Sequence, residues 1–100
     1  YEKYYADGKL QEKGFYKNSK KEGVVYQYYN SGVLRTESQY VNGKLEGIAR
    51  AFWESGKLRG EWTMRAGKTN GLVRLYDENG KLISTDIYSE GHRLNQKDYS

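Results

Sequence analysis

The sequence has no cysteine, no proline, one histidine and one methionine among its 100 residues. Without cysteine there are no disulfides, no thiolate chemistry and no Cys-based zinc sites, and either redox compartment is allowed. Without proline, nothing in the chain forbids a continuous β-ladder. No apolar run approaches the roughly 20 residues a membrane-spanning helix needs. The opening stretch YEKYYADGKL also lacks the apolar centre of a signal peptide. The segment therefore reads as soluble. Because it starts at Tyr1, an upstream signal or lipid anchor is allowed for, and bacterial cytoplasm and cell envelope both stay open.

Apolar residues are also scarce. Only 36% of the residues are hydrophobic, 30% are charged, and the mean hydropathy is -1.03, values that would suit a disordered chain. Fifteen aromatics, eleven of them tyrosine, argue instead for a thin, well-solvated fold. Aromatic rings favour pleated surfaces, and twelve glycines supply turns.

Those residues recur. Gly8, Gly32, Gly56 and Gly80 are each followed two positions later by Leu10, Leu34, Leu58 and Leu82, at a constant spacing of 24. Gly23, Gly47 and Gly71 keep the same interval, as do the columns Tyr4, Tyr28, Phe52, Tyr76 and Tyr16, Tyr40, Met64, Tyr88. Val24, Ile48 and Leu72 form an aliphatic column. A fixed period of this size marks a repeat architecture. Two glycine-bearing punctuations per unit leave segments too short for helices but suited to strands, so each unit reads as a β-hairpin.

The expected fold is all-β: tandem hairpins forming one elongated, single-layer antiparallel meander, or solenoid, of four units at about residues 4–23, 28–47, 52–71 and 76–95. Eight strands at about 4.8 Å give a ribbon on the order of 40 Å long. The motifs ADG, NSG, ESG and ENG read as three-residue loops with glycine in the left-handed region. They pair Tyr4 with Leu10, Tyr28 with Leu34, Phe52 with Leu58 and Tyr76 with Leu82. Counting the same way across KNSKKEG, VNGKLEG and RAGKTNG pairs Tyr16 with Val24, Tyr40 with Ile48 and Met64 with Leu72, all on one structural face. A ribbon of this kind has an open strand at each end, so edge or end-to-end self-association is expected.

The unit Tyr-Tyr-x-x-Gly-x-Leu, continued by Tyr-x-Asn-Gly-Lys-x-x-Gly and an aliphatic residue, is clearest in YYNSGVLRTESQYVNGKLEGI, Tyr28 to Ile48. It resembles the bacterial variant of the MORN repeat over almost the whole chain. The resemblance implies stacked β-hairpins, and it extends to YwqK-family antitoxins of toxin-antitoxin systems. Related eukaryotic repeats are implicated in membrane association and scaffolding. The glycine usual two residues before the second aromatic survives only as Gly14, with Ser38, Trp62 and Asp86 in its place, a departure that favours the bacterial variant.

Signs of catalysis are few. His92 falls in a column of polar turn residues with Lys20, Lys44 and Lys68. Glu22, Glu46 and Asn70 read as polar residues before a turn glycine, and Asp77 and Glu78 point to opposite faces of a strand. The glycines are too widely spaced for a phosphate loop. No enzyme activity, cofactor or metal is expected.

Two surfaces remain as binding candidates. A net charge of +4 and the column Lys20, Lys44, Lys68 and His92, flanked by Lys17, Lys21, Arg65 and Arg93, make a basic edge suited to an anionic membrane. Nucleic acid is disfavoured, since no nucleic-acid motif accompanies the charge. Specific recognition belongs where the copies differ: Tyr29 and Trp53, with Arg35 and Arg59, on the variable face, and Tyr26, Arg50, Trp62 and Arg74 within the periodic face. The resulting expectation is a noncatalytic protein-binding or scaffold module, with a toxin as one partner, candidate contacts at Tyr29, Arg50, Trp53, Trp62 and Arg74, and membrane binding through the basic edge as the alternative.

Overall fold

A computed structural model describes the backbone of residues 1–98 and the side chains of residues 1–94. Twelve strands follow in order: β1 Glu2–Tyr4, β2 Leu10–Lys13, β3 Tyr16–Lys17, β4 Lys20–Lys21, β5 Gly23–Tyr28, β6 Leu34–Val41, β7 Lys44–Leu45, β8 Gly47–Phe52, β9 Leu58–Arg65, β10 Lys68–Tyr76, β11 Leu82–Ser89 and β12 His92–Asp98. All described pairings are antiparallel, in the sheet order β1-β2-β5-β6-β8-β9-β10-β11-β12; the chain meanders, with the short β3–β4 pair inserted between β2 and β5 and β7 added against β6. The molecule measures 40 × 32 × 16 Å, as expected for one twisted layer.

The three-residue loops form as the sequence implies. In the second unit, Tyr29 N–H donates to Val33 O and Gly32 N–H to Tyr29 O, both at 2.9 Å, with Gly32 at φ +92°. Tyr4 faces Leu10, Tyr28 faces Leu34, Phe52 faces Leu58 and Tyr76 faces Leu82. One further residue then bulges out of the second strand: Gln27 meets Thr36, leaving Arg35 unpaired, and Ala51 meets Gly60, leaving Arg59 unpaired.

The other expected pairs are overturned. Tyr16 faces Lys21 instead of Val24, Tyr40 faces Leu45 instead of Ile48, and Met64 faces Thr69 instead of Leu72. The cause is a two-residue turn at Asn18–Ser19, Asn42–Gly43, Ala66–Gly67 and Glu90–Gly91, with both central residues at positive φ, the hairpin geometry that matches strand twist. A second irregularity follows, at Gly47 (φ +86°) and Gly71 (φ +109°), where the register slips before pairing resumes as Glu37–Arg50 and Trp62–Val73.

Successive turns are stitched together. Gly43, Gly67 and Gly91 N–H donate to Lys21, Leu45 and Thr69 O of the preceding unit at 2.8 to 2.9 Å. The neighbouring turn amides of Asn42, Ala66 and Glu90 donate to the side chains of Glu22, Glu46 and Asn70. That column, which reads from sequence as mere turn polarity, holds each unit to the next. A second ladder runs along the other edge: Tyr5 Oη donates to Tyr28 O, Tyr29 Oη to Phe52 O, and Trp53 Nε1 to Asp77 O.

Register also sorts the faces. One carries the row Lys13, Tyr26, Glu37, Arg50, Glu61, Arg74, Thr85, and the other the row Glu12, Gln27, Thr36, Ala51, Gly60, Leu75, Ser84. The expectation that the periodic face is the structural one fails. Among the described residues the buried hydrophobics are Val25 and Val73, each 2% exposed, and both lie on the supposedly variable face, while Ile48 of the aliphatic column is 47% exposed on the other. A single twisted layer buries small side chains on one side; on the other, Val24 and Leu72 are half-buried and Ile48 is exposed.

The buried end of the second row is polar. Glu12, 6% exposed, accepts from Tyr1 Oη at 2.6 Å and Gln27 Nε2 at 2.7 Å, and Lys21 Nζ lies 3.4 Å away. Burial opposes its ionisation, but the Tyr1 and Gln27 hydrogen bonds and the Lys21 charge outweigh burial and hold the carboxyl below the usual range. Burial, and then the bond to Glu12, push the Tyr1 hydroxyl upward. A lowered folded-state value means that the ionised carboxylate stabilises the fold above the unfolded-chain value and that this contribution disappears as pH falls through the folded one. Glu12→Ala should cost about 1–3 kcal/mol at neutral pH, because Gln27 and Tyr1 lose a buried acceptor. Urea unfolding at neutral and acidic pH checks this: the difference between Glu12→Ala and wild type should shrink on acidification.

Candidate functional site

The expected contact residues do not all meet. Tyr29, Trp53 and Trp62 share the face of Val25 and Val73, whereas Arg50 and Arg74 lie on the opposite face with Tyr26. Trp62 thus leaves the periodic face assigned to it, since Ala49 and Val73 are its direct neighbours.

On the charged face, Arg50 is bound to its own neighbours. Its Nε donates to Glu61 Oε2 at 3.0 Å, and Nη1 lies 3.8 Å from Glu37. These pairs are partly exposed and contribute little individually. Arg74 follows in the same row, exposed. Alternating charges directly opposite one another favour this register over slipped ones.

The other face holds an aromatic group. Trp53 is half-buried beneath Arg59, whose guanidinium carbon sits 4.6 Å from the ring centroid. One unit earlier, Arg35 stands 5.9 Å from the Tyr29 ring. Trp62 lies over Gly60: a Cβ there would come within 2.7 Å of the indole and 3.0 Å of Leu75. Thr36 and Ser84 occupy the equivalent positions in other units, so the glycine accompanies the tryptophan that this unit alone carries.

Two open clefts flank Trp53 and Arg59. A polar one of about 520 Å³ is bordered by Tyr29, Glu54, Ser55, Glu78 and Asn79. A more apolar one of about 300 Å³ is lined by Ala51, Trp62, Leu75 and Ile83. Arg59 takes its expected place beside Trp53 because the bulge turns it onto the face of Gly60. Tyr29 and Trp53 serve the fold as well, through their hydrogen bonds to the next unit.

The basic edge is formed by the two-residue turns. Lys20, Lys44, Lys68 and His92 are the first residues after them, all exposed. The Lys20 stem runs beneath the next turn, where a Cβ on Gly43 would meet its Cβ at 3.5 Å. With Lys17, Arg65 and Arg93, six lysines and arginines face three acids on this edge, Glu22, Glu46 and Glu90, whereas Lys21, also expected there, turns to Glu12. Two of those acids are engaged by turn amides.

Among the described residues no group of three His, Cys, Asp or Glu side chains could hold a metal ion. The profile of one family, described as the MORN repeat variant, matches four tandem segments, 1–18, 21–42, 45–66 and 69–90. The last three matched segments begin at 24-residue intervals, at 21, 45 and 69, the period of the turns and ladders above. No curated protein sequence matches the chain.

Proposed function

Because the chain belongs to the MORN repeat variant family, whose repeats generally serve as noncatalytic surfaces for proteins or membrane lipids, we propose that it grips a protein partner across its aromatic face. The observation that carries this reading is the Trp53–Arg59–Trp62 group beside an apolar cleft. Trp62, Gly60 and Ile83 stand where other copies carry smaller or polar residues. Aromatic and arginine side chains around a partly apolar depression supply most of the energy in protein interfaces. The most specific form of this reading comes from the resemblance to YwqK-type antitoxins: the partner is a toxin, neutralised by being covered.

Trp53 is a poor probe on its own, since Trp53→Ala also removes its bond to Asp77 O. Arg59→Glu and Trp62→Ala are cleaner. With the protein immobilised and the partner drawn from the cells of origin, each variant should lower capture by about tenfold or more, and capture should survive moderate salt. Unchanged capture by both variants would remove the aromatic face from the interface.

The excess of base along the turn edge favours a second reading, docking on anionic lipid. There, joint reversal of Lys20, Lys44 and Lys68 to Glu should abolish sedimentation with phosphatidylserine vesicles, and salt should release the wild type. Vesicle binding indifferent to both would sink that reading.

A further inference from the structure

The arginines of the sheet are satisfied to different degrees. Arg50 is neutralised by Glu37 and Glu61. Arg35 and Arg59 are exposed, each stands over the aromatic ring six positions earlier, and among the described residues neither forms an ion pair. A guanidinium lying over a ring is restrained in orientation while its N–H edge stays open, an arrangement suited to a carboxylate.

Equivalent positions in successive units lie two strands apart, about 10 Å. The next member of the column after Arg35 and Arg59 is Ile83, which lines the apolar cleft with Trp62 and Leu75. The column thus presents cation, cation and apolar group at about 10 Å steps.

A helix rising about 1.5 Å per residue returns the same side at seven residues, about 10.5 Å along, which matches this step. An extended strand covers about 10 Å in three residues, and by then its side chain points the other way. Resting on the protein-binding reading above, we propose that the partner segment is an acidic amphipathic helix lying across the strands. Two of its carboxylates, one heptad apart, pair with Arg35 and Arg59. An apolar side chain a further heptad along enters the cleft of Trp62, Leu75 and Ile83. Glu54 and Glu78 border the neighbouring polar cleft on the loop side and repel the helix from there, so it runs over the strands. The apolar third contact favours a protein segment over a phosphate polymer or lipid headgroups, which offer charge alone.

The test uses a synthetic alanine-based helix carrying Glu, Glu and Leu at successive heptad steps, titrated against the intact protein and followed by tryptophan fluorescence. Binding should weaken about tenfold when both Glu become Gln, and by a similar factor in Arg35→Ala and Arg59→Ala, with Arg74→Ala unchanged. Unfolding curves confirm that each variant is folded. The proposal is overturned if the peptide does not bind, if the Gln peptide binds as well, if Arg74→Ala matches Arg59→Ala, or if polyphosphate or anionic vesicles bind more tightly through Arg35 and Arg59. Partner capture that depends on Trp62 and Leu75 but not on Arg35 sinks the acidic helix and leaves protein binding standing. Capture indifferent to the whole face sinks the protein-binding reading itself.

Discussion

Val73→Asp should unfold the β9–β11 region at room temperature, with a loss of about 3–5 kcal/mol, while Val73→Ala should leave the chain folded and weaker by less than half of that. Val73 is 2% exposed, and its register neighbours are Trp62 and Asp86. Asp86 is itself 5% exposed, and among the described residues its Oδ1 has no hydrogen-bond partner. A second carboxylate opposite it would be desolvated beside a carboxyl whose Oδ1 is already unsatisfied, and among the described residues no ion pair offsets it. A small domain stable by only about 5–15 kcal/mol cannot absorb much of this. Amide exchange resolved along the chain would show β9, β10 and β11 opening together. Protection unchanged from wild type would mean that Val73 is not a keystone of the sheet.

Gly71→Val should cost about 3 kcal/mol, distinctly more than Gly80→Val. Both glycines have positive φ, +109° at Gly71 and +89° at Gly80, where a β-branched residue is strained in either case. The surroundings make the difference. A Cβ at Gly80 meets nothing within 4 Å, whereas at Gly71 it lies 3.3 Å from Thr63 Cγ2, before the valine methyls are counted. Thr63 is also fixed by its Oγ1 hydrogen bond to Leu72 O at 3.0 Å, so it cannot swing away freely. Urea midpoints of the two variants, compared pairwise, check the ordering. Equal losses would attribute the whole effect to the dihedral angle.

The contrast between these glycines also explains what the sequence made readable. The three-residue loops announce themselves through a glycine at fixed phase with leucine two places on, and the Tyr28–Leu34 class of pairs follows by counting. The longer segments are less legible, because VNGKLEG holds two events in seven residues: a turn at Asn42–Gly43 and a register slip at Gly47. The Asn-Gly pair is a strong hairpin signal and was visible. Counted as one loop, the segment gives Tyr40 and Met64 the wrong partners. The functions of Glu22 and Glu46 were not visible at all, since their partners are backbone amides 20 residues away. For the binding candidates, divergence between copies points to Tyr29, Trp53, Trp62 and Arg59, and the sequence already sets Arg35 and Arg59 beside Tyr29 and Trp53; the bulges give the reason, and the register moves Trp62 onto their face. Arg50 and Arg74 diverge as well, yet they belong to a charge ladder on the other side.

The stitching of each turn to the one before it reaches no further than a single unit. Length is therefore a free variable of this architecture. Stability accumulates unit by unit and seam by seam, much as in a one-dimensional chain of coupled spins. An ancestor could duplicate or delete 24 residues without redesigning a core, because no core spans more than adjacent units. Diversification is then confined to what a unit shows its surroundings, as where Gly60 leaves room for the Trp62 indole in one copy while Glu12, Thr36 and Ser84 stand at that place in the others.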